Sequence, residues 1–242
     1  MHHLDNELTY SKISAANLDN ATDCVCKTFL LNEPIATHLQ MVEENFRPFI
    51  HQLLTHALQD QLSWVAADKK TEKVIGALVA TDLANDFQPT TLSDPKLLRV
   101  FRFLDDLWAP FINETNVPKG LVAHAYMGAV LPEYQRSGII NTMYAIAYRS
   151  AWERGYRKVM GEVTSSYSLN LLRKNPHATE LNSIAYADYE QDKIKIFEGM
   201  KIHEQCVLFS APIEAMLPPE VTQPSINRKD FNMTALDQIR RN

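Results

Sequence analysis

The stretch VLPEYQRSGII, residues 130–140, joins an apolar run to a segment of helical periodicity, and its residue types suit the binding of an anion. A chain entering a helix presents backbone N–H groups that no earlier turn can use, together with the positive end of the helix dipole. Gly138 lets backbone approach a diphosphate closely, and Arg136 adds a fixed positive charge. A single glycine between strand and helix is by itself more often an ordinary turn. Upstream, His124 lies on the same strand face as Tyr126 and Gly128 when residues are counted in twos from Val130. A strand histidine either moves a proton or is a hydrogen-bonded packing residue. His51 and His56 are five apart on a helical segment, so they do not share a face as a metal-binding pair would. The three cysteines include the pair Cys24 and Cys26 but no second pair. They read as reduced thiols without a zinc site, and none lies near a base that would make it a covalent nucleophile.

The elements that must position these residues follow from composition and periodicity. A chain of 242 residues with 45% hydrophobic and 22% charged content can bury one sizeable core. Its 29 acids against 24 bases give a net charge of -5 without a concentrated basic stretch, which disfavours nucleic acid and is compatible with a cationic small molecule. No apolar run approaches the ~20 residues that span a bilayer, so a soluble, cytoplasmic protein without a membrane partner is expected.

Leu8 to Ile13 reads as a strand, followed by a helix capped by Asn17 with Leu18, Ala21, Val25 and Phe29 inward. A second helix is expected from Ile35 to about Gln59, bent or split at Pro48. Strands over 63–67 and 73–82 form a hairpin, and an insertion, 83–119, carries an amphipathic helix from about Pro95 to Leu107. A strand over 121–130 leads into the opening loop, a helix over 139–154 ends at Gly155, and a strand over 158–164 and a short helix over 168–174 follow. The last strands are expected at 183–189 and 204–210, with residues 212–242 a tail holding a short helix at 234–240. This order implies an α/β (α+β) fold with a mixed sheet and helices on both faces.

With its flanks included, the run Val130 to Val159 resembles the central motif of the GCN5-related N-acetyltransferase (GNAT) superfamily: Val130, Pro132, Tyr134, Gln135 and Gly138 match V-x-P-x-[YF]-[RQ]-x-x-G in register. The resemblance extends over about residues 5 to 211 and implies a mostly antiparallel twisted sheet whose central strands splay. It also implies acetyl-CoA as co-substrate, with no metal. The cofactor-binding residues that it implies are Gly128, Ala129 and Val130 on the strand, and Arg136, Ser137, Gly138, Ile139, Ile140 and Asn141 in the loop and helix start. Ile140 departs from the pattern, since a second glycine or alanine is usual there. If its side chain points inward it crowds the diphosphate; if outward, its N–H does the same work as the glycine's.

Within the superfamily, Asn32-Glu33-Pro34 and Tyr186-Ala187-Asp188-Tyr189 resemble two signatures of insect-type arylalkylamine N-acetyltransferases. A primary amine is protonated at neutral pH and must lose a proton before attacking a thioester, so a base is needed nearby. The resemblance implies Glu33 as that base, where residue type alone equally allows a cap or surface ion pair at a helix end. It makes His124 a secondary candidate on a proton path whose second member is Tyr126 here. The tyrosine acid of many relatives is replaced by Leu172, and Ser168 is a weak candidate for its role whose plainer reading is a helix cap. Phe87, Phe101, Phe103, Trp108 and Phe111 in the insertion build local core, and any that face the cleft would suit an apolar acceptor tail. The expectation is a monomeric or homodimeric N-acetyltransferase acting directly on a small primary amine, arylalkylamine or polyamine-like. The alternatives are acylation of a protein or an aminoglycoside, and a non-catalytic acyl-CoA-binding sensor.

Overall fold

In the computed structural model, which describes residues 7–90, 92, 94–111 and 116–217, one seven-stranded sheet carries the whole architecture. Strands β1 (Leu8–Lys12), β2 (Trp64–Asp68), β3 (Val74–Asp82), β4 (Val122–Val130), β5 (Lys158–Val163), β6 (Thr179–Ala185) and β7 (Gln205–Pro212) lie in the order β1-β2-β3-β4-β5-β7-β6. All neighbours are antiparallel except β4 and β5, which run parallel. A parallel pair needs a crossover, and the helix α5 (Ile139–Glu153) supplies it. The other helices are α1 (Leu18–Asn32), α2 (Pro34–His38), α3 (Glu43–Ala57), α4 (Pro95–Trp108) and α6 (Ser166–Leu172).

The β4–β5 pairing runs only from Val122↔Lys158 to Ala125↔Gly161, while β4 continues against β3 as far as Gly76↔Val130. The two strands therefore part at a fork, leaving the far half of β4 unpaired on its β5 side. A β-bulge accompanies the parting: Val79 faces Met127 and Ala80 faces Ala125, so Tyr126 is the extra residue. The bulge corrects the count in twos. His124 and Tyr126 do share a face, with ring centroids 4.1 Å apart. Gly128 lies on the opposite face, because a Cβ built there would meet Tyr144 Oη and Ile140 Cδ1 of α5.

Other expectations are also corrected. The chain between 35 and 59 breaks after His38, where Gln40 adopts φ 51, and Pro48 sits inside α3 near its start, where only a single helical hydrogen bond is forfeited. Asn17 precedes α1, but its Oδ1 accepts from Ser14 N at 2.8 Å and does not cap the helix. The strand expected at 183–189 is β6, four residues earlier. Tyr186 and Tyr189, included in the expected strand, instead lie buried beyond β6. Ser165, not Ser168, caps α6, accepting from Ser168 N. The core also extends beyond residue 211, since Ile213 and Leu217 are buried. The expected helix at 234–240 lies outside the described residues. Among the described residues no helix is long and apolar enough to cross a membrane, and no cluster of three metal-binding side chains occurs.

Candidate active site

The loop from β4 to α5 is a built cradle of amides. Leu131 N donates to Ile75 O at 2.9 Å, and residues 132–134 form a 3-10 turn. The Gln135 side chain then donates back to Val130 O at 3.1 Å, and the Ser137 hydroxyl to Tyr134 O at 2.5 Å. Arg136 and Gly138 both take left-handed backbone, with φ 61 and 85, and this turns consecutive N–H groups the same way. The N–H groups of Arg136, Ser137, Gly138, Ile139, Ile140 and Asn141 find no acceptor among the described residues. The Arg136 and Asn141 side chains are exposed beside them. Ile140 turns down onto the sheet: its Cδ1 would be 3.4 Å from a Cβ at Gly128, and it packs against the core under α5. Its N–H is therefore as free as its neighbours'. Gly128 is itself exposed, on the stretch of β4 with no β5 partner, and Ala129 and Val130 continue that edge.

On the other face, Glu33 stands between α1 and α2, where Pro34 opens the second helix. Its Oε2 accepts from Ala36 N at 2.6 Å, while its Oε1 is buried and among the described residues closes no hydrogen bond of good geometry. Part of the residue is solvent-accessible, but the carboxylate head is enclosed. Burial pushes its pKa above the ordinary range, against the opposing pull of Ala36 N–H and the nearby Thr164 hydroxyl. Thr164 directly follows β5, so this carboxylate faces the open end of the fork. Tyr186 donates to Thr164 O at 2.8 Å, and the negative charge of Glu33 raises the Tyr186 phenol further after burial has done so.

His124 is 3% exposed and held at both ring nitrogens. Nδ1 lies 2.8 Å from Asp86 Oδ1, and Nε2 lies 3.2 and 3.3 Å from the two oxygens of Glu162. Trp108 Nε1 also donates to Glu162, and the Tyr126 hydroxyl to Asp86 Oδ1. Burial alone would lower the His124 pKa, but Glu162 and Asp86 outweigh it and hold it up at about 10. Asp86, which burial would raise, is instead held below the usual carboxylate range by the His124 charge. His124 is accordingly an imidazolium at neutral pH, with both protons committed.

The structure gathers Glu33, Tyr186 and Glu162 around Cys206, whose thiol is pushed up by burial and by both carboxylates. Ser168 stays outside this group: it is exposed, and its hydroxyl lies 3.0 Å from that of Ser165. Leu172 packs half-buried at the end of α6. Asp86 and Glu162 escaped sequence reasoning. The signal for Glu162 was a lone carboxylate in the otherwise apolar run Val159-Met160-Gly161-Glu162-Val163. Of the insertion's aromatic residues, Phe87, Phe103 and Trp108 are buried and Phe101 and Phe111 pack partly against the core.

Among solved structures, the chain is similar to the C-terminal condensation domain of Ebony in complex with beta-alanyl-dopamine, at TM-score 0.73 and 17% identity over 85% of this chain and 99% of that one. Its fold is that of the GNAT acetyltransferases. Arylalkylamine N-acetyltransferase 2 from Aedes aegypti shares the GNAT fold with it at TM-score 0.70 and 16% identity, over 85% and 99% of the two chains. So does the Drosophila melanogaster polyamine N-acetyltransferase that forms N-acetylagmatine, at 0.66 and 15%, over 85% and 100%. No family model matches the sequence, and no curated protein does.

Proposed function

We propose that this GNAT-fold protein is an acetyl-CoA-dependent N-acetyltransferase that acetylates the primary amine of a small molecule directly. The observation that carries the reading is the fork, where β4 leaves β5 after Ala125↔Gly161 and runs straight into six unpartnered loop amides. Those amides, from Arg136 to Asn141, fit a pyrophosphate, and the free edge of Gly128, Ala129 and Val130 fits the amides of a pantetheine arm. Acetyl-CoA bound there supplies the acetyl thioester. Glu33 Oε1, enclosed and without a donor, accepts the proton that the acceptor ammonium must shed before it attacks. A carboxyl whose pKa burial has raised is a stronger base than an ordinary one. Leu172 offers no acid, and a thiolate with a parent pKa near ~8.5 leaves without one. His124, with both N–H groups bound to carboxylates, holds the site in shape and does not carry the proton.

Acetyl-CoA should raise the melting temperature, because a ligand of the folded state alone stabilises it. Thiol release over a panel of amines should then be lowered in Glu33→Gln about a hundredfold or more, the usual range for a general base. Absence of a thermal shift at saturating acetyl-CoA removes the cofactor assignment. A shift with no amine turned over leaves the acyl-CoA-binding sensor as the function.

A further inference from the structure

The network around His124 carries more negative charge than it neutralises. Asp86 and Glu162 contribute two carboxylates, His124 one positive charge, and Trp108 and Tyr126 only neutral donors. The donors are also unevenly spent. Asp86 Oδ1 takes His124, the Tyr126 hydroxyl and, at 3.4 Å, the Thr81 hydroxyl, and the Phe87 N–H also pulls on the carboxylate, whereas among the described residues Asp86 Oδ2 takes no side-chain donor. The Asp86 side chain is 30% exposed against 9% for Glu162, so the uncommitted oxygen belongs to the member of the network that a solute can reach. A second, independent vacancy lies at the junction of α1 and α2, against the end of β5. Glu162 and Thr164 are two apart along the β5 run and so face one way, and the Glu33 carboxyl, with its orphaned Oε1, lies by Thr164. The reacting amine is neutral when it attacks, so it cannot balance the surplus charge. A second cationic group in the same molecule can.

We propose that Asp86, fixed by His124 and Tyr126, anchors a second ammonium or guanidinium group of the acceptor, so that this protein prefers diamines, polyamines and guanidinoalkylamines to arylalkylamines. The inference rests on the amine-acceptor reading above and narrows it. The fate of the insertion's aromatic residues points the same way. Phe103 is spent on Tyr186, Tyr189 and Phe197, and Phe87 and Phe101 on Phe49, so these rings are not free to hold an aromatic tail. Trp108 turns its N–H to Glu162 and its ring to His124.

The test compares putrescine and agmatine with butylamine and phenethylamine on the wild-type protein, by thiol release and by calorimetric titration in the presence of coenzyme A. A charge-assisted contact gives the dications about a tenfold or larger advantage in kcat/KM, expressed mainly in KM, and a matching advantage in affinity. In Asp86→Asn that ratio collapses towards one, while the thermal shift with acetyl-CoA persists. Equal or better use of phenethylamine by the wild-type protein overturns the proposal, with no variant needed. A folded Asp86→Asn that keeps the ratio overturns it as well. If no amine is turned over yet putrescine binds preferentially in an Asp86-dependent way, the transferase reading falls and the cation site stands.

Discussion

Glu33 caps α2 and, in the proposed reaction, also serves as the base, two tasks that pull against each other. As the residue before Pro34 it gives Oε2 to Ala36 N and starts α2, and that part was legible from an acid preceding a proline. Nothing in the local sequence foretold that Oε1 would be enclosed without a donor, because the walls come from Thr164 and Tyr186, far along the chain. A carboxyl whose folded pKa lies above its unfolded value contributes stability that is fully present below about pH 4.5 and is lost as the pH rises through the folded value. At pH 7 an ionisable group at this buried position is therefore a cost to the fold, one that fits the proposed role as base. Glu33→Gln keeps an acceptor for Ala36 and removes the charge. It should melt higher than the wild type at pH 7, by a few degrees if the relief is about 1 kcal/mol. The gap should close as the pH falls through the carboxylate range. Scanning calorimetry at pH 7 and pH 4 reads both, and a variant that melts lower at pH 7 contradicts the burial argument.

The fork depends on how closely two strands approach just before they part. A Cβ built on Gly161 would lie 2.5 Å from Ala125 O, a backbone atom that cannot swing aside. Gly→Ala within a strand ordinarily stabilises by about 0.5–1 kcal/mol, so the sign of Gly161→Ala is diagnostic. Overpacking here should destabilise by about 1–3 kcal/mol and, by moving the point of parting, weaken acetyl-CoA binding. Chemical denaturation and the acetyl-CoA thermal shift measure the two effects, and a stabilised variant with unchanged binding would show that the contact is slack. Elements with long, clean periods were legible from sequence: β3, β4, α4 and α5 fall within a residue or two of the expected bounds. The failures have local causes. The bulge at Tyr126 ended the count in twos and moved Gly128 to the other face, while the polar, half-exposed residues of β6 concealed a strand.

Across the whole molecule, the His124 network joins parts that no single element connects. Asp86 and Trp108 come from the 83–119 insertion, His124 and Tyr126 from β4, and Glu162 from β5. The insertion is thus tied to the sheet through a buried ion network, so removing the central charge releases two carboxylates against each other. The sign of its pH dependence follows from the folded value. His124 is held at about 10 against an ordinary 6.5, so its contribution is fully present below pH 6.5 and is lost as the pH rises towards 10. Within that window the folded protein binds one proton more than the unfolded chain, and stability should fall by about 1.4 kcal/mol per pH unit. The raised carboxyl of Glu33 acts with the same sign, and His124→Gln, which keeps Glu33, separates the two contributions. Burial lowers the pKa of His203, which acts below 6.5 and with the opposite sign. The buried thiols of Cys24 and Cys26, raised from 9.0 to about 12, begin to count only near pH 9. Unfolding free energy measured in urea between pH 6.5 and pH 9 should therefore decline steeply in the wild type. In His124→Gln it should start lower and stay nearly flat. A flat wild-type profile over that range would mean that His124 is neutral, and it would remove the fixed positive charge that holds Asp86 and Glu162 together.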